Sequence, residues 1–539
     1  MGYRRVTAVR QQVVVGTDRR SDDTLLWRRR QIGTPILCGV FVFGLVGSIA
    51  CRQPTHQATP PQPTEVVVGV PEANTPDLDL GIPQFLRLLS FESLTTIGRD
   101  GRALPQLAER WQWERDNTRL RVFLRPNVLL HDGRPFTGET AVAFVRAAVT
   151  NPANVASFPA LADLVEVSAE GNQLVFDVSR PAATLPDGLT VPLDKGPDPV
   201  GTGPYRVVSQ ETSGAVLEAF NRYYKGKPTI DRVVVKVFDA LRPTWASLLR
   251  GELNVVYDVP VDAVEFVRNE EIEVVSVPRW YQHHLTFNLR DRRFKSPLVR
   301  KALNLAVDRK AIVEKVLHGA GTVSAGPIYP QYWAFDSTVP TYPFDPEGAK
   351  ALLETAGYRL HQPSGPSAGP AARLRFTCLV PKDFTTWQRI ALEVQKDLFN
   401  VGVDMQFRVV PLKEFNDLVF SGRFDAAFIN MISGPTPSRS YMWWRSARRL
   451  KGLYNVFGYD NAQAEEHFEV LLRSANEAAV RSATSRLQRA FYDDPPAVFI
   501  AFDTRTRAIS RRFQFPTDER DPMWALWRWT VAAPRGATH

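Results

Sequence analysis

Several side-chain groupings in this chain have the chemistry to hold or transform a small molecule. Trp280-Tyr281 and Trp443-Trp444, the latter preceded by Tyr441, offer broad faces that stack on a flat or sugar-like surface. The same rings serve equally well as core packing. Arg439 and Arg445 flank the Trp pair and suit an acidic group, although a solvated surface position is the plainer reading of each. His283-His284 suggests a metal, but neighbours on a strand point to opposite faces and do not chelate together. Asp493-Asp494 is a carboxylate pair, yet Pro495-Pro496 follows at once, which reads as a solvated helix-end cap rather than an acid/base couple.

Of the three cysteines, Cys38 lies in an apolar leader, Cys51 at its end and Cys378 within the apolar run Leu374 to Val380. That spacing builds no Cys metal site and no internal disulfide, and Cys378 reads as a buried strand thiol. His131, in an Asp-Gly turn, reads as structural. There is no Gly-x-Ser-x-Gly elbow, phosphate-cradling glycine loop or His-Glu-x-x-His helix. The sequence therefore predicts no catalysis, no cofactor and no metal.

The N-terminal order is basic, apolar, small residues, Cys, then polar linker. Arg28-Arg29-Arg30 precedes the uncharged stretch Ile32 to Ala50, which ends in Ser48-Ile49-Ala50-Cys51 and passes into the proline-dotted run Arg52 to Thr64. Such an order exports a chain. Three outcomes fit: cleavage before Cys51 with lipid attached to its sulfur, ordinary secretory cleavage using Ser48 and Ala50, or retention as an anchor. Ser48 stands where a lipobox normally has Leu. All three place the globular part outside the cytoplasmic membrane. Residues 1–27 are polar, so the leader is long or the true start lies downstream.

The leader also distorts the charge. Eight Arg against three Asp in residues 1–50 supply +5 of the formal +9. The remaining basic residues are interleaved with acids, which argues against a nucleic-acid partner. At 539 residues the chain needs more than one core.

Element punctuation is clear in places. Val66 to Val70 reads as a first buried strand and Phe85 to Leu94 as a helix. Trp111 to Glu114, Arg119 to Leu124, Val165 to Val167 and Leu174 to Val178 read as strands, with a helix capped by Thr137 among them. Ser296-Pro297, Asp308 and Asp345-Pro346 open three further helices, and Gly319 stops one. Strand Leu374 to Val380, helix Trp387 to Phe399, strand Met405 to Val410, helix Lys413 to Phe420 and strand Asp425 to Asn430 alternate as in a mostly parallel sheet. His361 to Ala372 is a Ser/Gly/Pro-rich insertion, and Tyr441 to Trp444 reads as loop.

Four stretches in order carry a resemblance: Leu104-Pro105-Gln106-Leu107-Ala108-Glu109-Arg110-Trp111, His131-Asp132-Gly133-Arg134-Pro135-Phe136-Thr137, Gly201-Thr202-Gly203-Pro204-Tyr205, and Val299 to Arg309. The chain resembles the peptide/nickel family of extracytoplasmic solute-binding proteins that serve ABC importers. The resemblance implies an α/β, periplasmic binding protein type II-like fold: two hinged lobes plus a third, smaller domain, with ligand trapped as the lobes close. It divides the chain into a leader 1–50, a linker 51–64, a first lobe from 65–105, 198–287 and 500–539, a small domain 106–197, and a second lobe 288–499.

The resemblance also implies ligand contacts from Asn74, Thr75 and Pro76, from Trp280, Tyr281 and His283, and from Asn430, Met431 and Gly434. Peptide-binding members carry an acidic residue, with an aromatic residue three places before it, where this chain has Gly434 and Met431. The amine-binding carboxylate is thus missing. The physical reading adds Arg439, Tyr441, Trp443 and Trp444. The expected partners are a small-molecule or peptide ligand, ABC permease subunits, and the membrane through a lipid or anchor, with the receptor a monomer. A fold-retaining surface sensor without transport is the alternative.

Overall fold

The computed structural model describes residues 63–71, 82–194, 200–361, 371–382, 384–434, 436–446 and 455–533. The leader, Cys51, the triplet Asn74, Thr75 and Pro76, and most of the insertion after His361 lie outside the described residues.

A mixed 11-stranded sheet organises them. From one edge its order is Val403–Val410, Leu374–Pro381, Ala426–Ile432, Ile272–Phe287, Ala497–Ser510, Val255–Val259, Glu65–Pro71, Arg232–Phe238, Gly214–Ala219 and Tyr205–Glu211. Gly321–Val323 pairs in addition with Ala497–Ser510. The sheet is parallel around two strands, as the βαβ alternation requires: Glu65–Pro71 with both neighbours, and Leu374–Pro381 with both of its own, whereas the edge Arg232–Phe238, Gly214–Ala219 and Tyr205–Glu211 is antiparallel. The Val-rich runs are near-continuous because helices cover both faces. Val66 and Val68 enter one core with Phe85 and Trp529, while Val67 packs against a second, around Leu248, Leu253 and Val256.

Ile272–Phe287 and Ala497–Ser510, of 16 and 14 residues, join the two ends of the sheet. Their first register runs from Ile272↔Ser510 to Pro278↔Thr504, beside Val255–Val259. Their second runs from Gln282↔Phe502 to Thr286↔Ala497, beside Ala426–Ile432. Between them Arg279, Trp280 and Tyr281 face Asp503 alone, a bulge with two extra residues. Pro278 helps to place it, since it has no N–H to donate to the ladder.

A separate antiparallel four-stranded sheet, Ala108–Glu114, Arg119–Leu124, Gln173–Val178 and Leu164–Glu170, is backed by the helix Gly138–Val149. Thr137 caps that helix, accepting from the Thr140 N–H at 3.3 Å. The two surround their own core of Leu120, Val122, Phe176, Ala141 and Val145. The largest core lies beside the second register of the crossing strands, where Phe287, Phe294 and Phe376 interlock with ring centroids 4.7–6.3 Å apart. Each buried Phe is worth about 1.5–3 kcal/mol of transfer free energy. Cys378 is fully buried in this core, and burial pushes its thiol pKa up.

Asp308 and Asp345 cap as expected, accepting from Ala311 N–H at 3.0 Å and Gly348 N–H at 2.9 Å. Gly319 follows its helix at φ 79°. Ser296 holds the N-cap position without a side-chain bond; Pro297 has already removed one of the N–H groups such a cap would serve. The first helix is Ile82–Ser90 rather than Phe85 to Leu94. One expectation fails more substantially: Tyr441, Trp443 and Trp444 are not in a loop but in the helix Pro437–Trp444, started by a proline at its first position.

Candidate functional site

The bulge gathers an unusual density of charge. In the strand Ala497–Ser510, Asp503, Arg505 and Arg507 alternate and so share one face. Three arginines there each have an acid. Arg505 meets Asp258 at 3.2 Å, Arg507 meets Asp521 at 2.9 Å, and Arg279 lies 3.7 Å from Asp503. Arg507 also donates to the Tyr257 carbonyl and stacks 3.7 Å over its ring. Asp521 is fixed from below. It starts the short 3-10 helix Pro522–Arg528 by accepting from the Met523 N–H at 3.0 Å, which holds Arg520 at the bulge.

Burial alone raises the pKa of Asp503. The nearby His283 ring and the charges of Arg279 and Arg505 outweigh it, so the carboxyl is held below its ordinary range. Asp521 behaves likewise: burial raises it, and Arg507 more than compensates.

Aromatic faces complete the arrangement. Trp280 is half-buried in the bulge with the Arg520 guanidinium stacked 3.6 Å over it, and Trp524 flanks the same guanidinium at 4.2 Å. Arg279 covers the buried Tyr281 ring at 3.5 Å. His283 is buried, 3.9 Å from Asp503, and the Asn430 amide lies 2.9–3.0 Å from its ring nitrogens. Gln282 donates to the Gly326 carbonyl at 2.8 Å, while its own carbonyl oxygen is buried without a partner. Trp280, Tyr281, His283 and Asn430 are thus brought together around the bulge. Met431 is buried opposite Gln282, and Gly434 is buried at φ 148° just past the same strand.

Other expected residues lie elsewhere. Trp444 is 1% exposed and packs on His284, Phe457 and Phe499, so it is a core residue and not a cleft face. Tyr441 is buried edge-on against Phe468. Trp443 is half-buried and donates to the Ile432 carbonyl at 2.7 Å. Arg445 is neither a ligand anchor nor a solvated arginine. It is buried against Glu465 at 2.5 Å and also pairs with Glu469. Arg439 covers the Phe158 ring at 4.7 Å.

His284 faces away from His283 into the core, where burial lowers its pKa to about 3. Asp494 is the C-cap residue of the helix Glu477–Asp493, as expected, but its side chain is not solvated: it pairs with buried Arg300 and accepts from Asn461 at 2.6 Å. His131 approaches the Gly203 carbonyl at 2.9 Å, a structural tie between two of the sequence motifs. Among the described residues no group of three or more His, Cys, Asp or Glu is placed to hold a metal.

Sequence reasoning missed Arg279, Asp503, Arg505, Arg507, Arg520, Asp521 and Trp524. One signal was available: three charges alternating inside an otherwise apolar strand.

Comparison with known proteins supplies the family. Residues 102–450 match the family described as bacterial extracellular solute-binding proteins, family 5 Middle. The glutathione-binding protein GsiB of Pectobacterium atrosepticum is 24% identical over 453 residues, 78% of this chain and 84% of that protein. The dipeptide-binding protein of Escherichia coli is 27% identical over 316 residues, 51% of this chain and 58% of that protein. In fold, the chain is similar to NikZ from Campylobacter jejuni, solved in complex with Ni(L-His). The TM-score is 0.72 at 21% identity, covering 86% of this chain and 99% of NikZ. The architecture is that of the multi-domain type II periplasmic binding proteins. With a family match that spans well over half of its length, the chain belongs to the bacterial extracellular solute-binding proteins of family 5.

Proposed function

We propose that this protein is a receptor that captures a small organic solute at the strand crossing and delivers it to the permease of an ABC importer, without catalysing a reaction on it. The observation that carries this reading is the bulge itself. It breaks the ladder between two long strands and surrounds the break with aromatic faces and buried polar groups that lack partners. A site that encloses a ligand needs apolar walls and a few fixed polar groups. The first lobe is residues 65–105, 198–287 and 500–539, the small domain 106–197 and the second lobe 288–499, with the crossing strands as the hinge. Ligand binds the closed form better and shifts the population toward it.

GsiB, the dipeptide-binding protein and NikZ hold chemically different solutes according to their names, so the family alone does not choose the ligand. Two positions argue against capture by an amino group. Met431 is buried, and Gly434 lies at φ 148° with a Cβ there only 3.2 Å from the Thr436 carbonyl oxygen, so an acidic side chain at that position is strained. The mature chain works as a monomer tethered outside the cytoplasmic membrane through lipid on Cys51. Asn74, Thr75 and Pro76, outside the described residues, are assigned as ligand contacts on the family resemblance alone.

The test is to incubate ligand-stripped protein with the small-molecule fraction of a cell extract, wash, and identify what is retained by mass spectrometry. A retained solute that raises the melting temperature with occupancy is the expected result. Retention of nothing, with no thermal response to peptides, glycans or metal chelates, refutes solute capture and favours a sensor that keeps the fold.

A further inference from the structure

Around the crossing three arginines have their own carboxylates: Arg279 with Asp503, Arg505 with Asp258, Arg507 with Asp521. Arg520 has none. Among the described residues no carboxylate comes within ion-pair distance of it. Its neighbour Asp521 is committed, one oxygen to Arg507 and the other to the Met523 N–H. Its guanidinium lies between the Trp280 and Trp524 rings and spends one nitrogen on the Pro278 carbonyl at 3.4 Å.

Two donors are left over at one place. The Nε–H of Arg520 and the Nε1–H of Trp280 are both shielded from water with no acceptor. Buried N–H groups are nearly always paired, so two orphans on one stacked pair point to an acceptor that arrives from outside. The type of acceptor follows from the donors. Both are N–H, one belongs to a cation, and the free edge of a guanidinium matches the two oxygens of a carboxylate.

We propose that Trp280 and Arg520 form a subsite for a carboxylate group of the solute, the ligand supplying the fourth acid of the cluster. This deepens the preceding reading and rests on the crossing being the binding cleft. Burial, offset only in part by Asp521, lowers the Arg520 pKa to about 10, in keeping with a cation held without a counter-ion. Trp524, 4.2 Å from the same guanidinium, helps to hold it in place before the ligand arrives. The selectivity is for an organic acid over its amide or ester: a neutral oxygen accepts one hydrogen bond but does not cancel the charge.

The experiment follows the indole N–H signals of the full-length protein by 15N NMR. The Trp280 signal is identified as the one lost in Trp280→Phe. The probes are acetate and its uncharged counterpart acetamide. The expected result is a saturable shift of the Trp280 signal with acetate in the millimolar range, and none with acetamide. Arg520→Gln should weaken acetate about 10- to 100-fold, as expected for loss of a charged hydrogen-bonded partner. Arg520→Lys, which keeps the charge and loses the fork, should fall between.

Equal response to both probes, no saturable response to acetate, or full acetate binding by Arg520→Gln overturns the proposal. The remaining Trp signals report whether each variant is folded; if Arg520→Gln is not, the acetate–acetamide contrast in the parent protein decides alone. A final arm adds the small-molecule extract. If the extract moves the Trp280 signal and acetate does not, the carboxylate subsite falls while the binding cleft stands. If neither moves it, both fall.

Discussion

Asp187 offers the sharpest test of the structure away from the cleft. It sits in the short helical turn Leu185–Gly188 and is 8% exposed. Its backbone is tied: the N–H donates to the Thr184 carbonyl at 3.1 Å, and its carbonyl accepts from the Thr190 hydroxyl at 2.7 Å. Its side chain has no hydrogen bond or ion pair among the described residues. Nearby, the Tyr332 hydroxyl is buried without a partner, and the Asp187 charge bears on it. Burial raises the Asp187 pKa to about 8 from the ordinary aspartate value of 3.8. The fold therefore favours the neutral acid. That advantage is fully present below the unfolded pKa and is lost as pH rises toward the folded one, so Asp187 makes the protein less stable from about pH 4 to about pH 8.

At about 1.4 kcal/mol per pKa unit, the ceiling on that loss is about 6 kcal/mol. Relaxation and water entry reduce such penalties, and about half of the ceiling is a reasonable expectation. Asp187→Asn keeps the shape and removes the charge. Its stability gain over the parent should be larger at about pH 8 than at about pH 5, by about 2 kcal/mol. Denaturant midpoints of parent and variant at the two pH values measure this difference, and all other titrating groups cancel in it. A gain that is the same at both pH values, or a variant less stable at the higher one, would refute the reasoning.

Three further outcomes are expected. Asp521→Asn leaves buried Arg507 without a counter-charge and should cost about 3–5 kcal/mol. Because the Asp521 pKa is held low, the parent keeps this contribution above the unfolded pKa and loses it as pH falls through the folded value; the variant should lack that acid-sensitive limb in a stability–pH profile. Trp444→Ala should open a cavity in the largest core and cost about 3–5 kcal/mol while leaving solute affinity of the folded fraction unchanged; lost binding at unchanged stability would restore Trp444 to the cleft. Cys51→Ser should move the protein from the membrane to the soluble fraction and remove a lipid-sized mass from the mature N-terminus, whereas an unchanged distribution removes the lipid anchor.

The sequence announced its elements best where local chemistry decides them. Thr137, Asp308 and Asp345 cap their helices through bonds spanning three residues. The alternation from Leu374 to Ile432 became parallel strands separated by helices, because each apolar run had no choice but to be covered on both faces. It failed where a partner is remote. Tyr441 to Trp444 read as loop, yet Pro437 starts a helix that runs through them, and rings remote in sequence, His284, Phe457 and Phe499, decide that Trp444 is buried. Arg445 looked solvated because its acids, Glu465 and Glu469, stand one turn apart on a helix well along the chain. Trp280 was visible as a candidate. Arg520 was not: 240 positions later, among Asp518, Glu519 and Asp521, it reads as one charge in an exposed turn.

The alternating charges on Ala497–Ser510 explain why the bulge is where it is. A strand at the centre of a sheet is normally apolar on both faces, and Asp503, Arg505 and Arg507 would each be costly there alone. They are tolerated because Asp258 and Asp521 reach two of them and Arg279 reaches the third. Arg279 reaches Asp503 from within the bulge, where the extra residues release it from the regular ladder. A straight ladder would place one residue opposite Asp503 instead of three, leaving no room for Arg279, Trp280 and Tyr281 to turn toward the same charged face. The irregularity that weakens the sheet at its midpoint is therefore the same feature that collects the polar groups. On the proposed reading, in which the crossing is both hinge and binding surface, the two are coupled by construction: a ligand that fills the break also sets the angle between the two registers on either side of it.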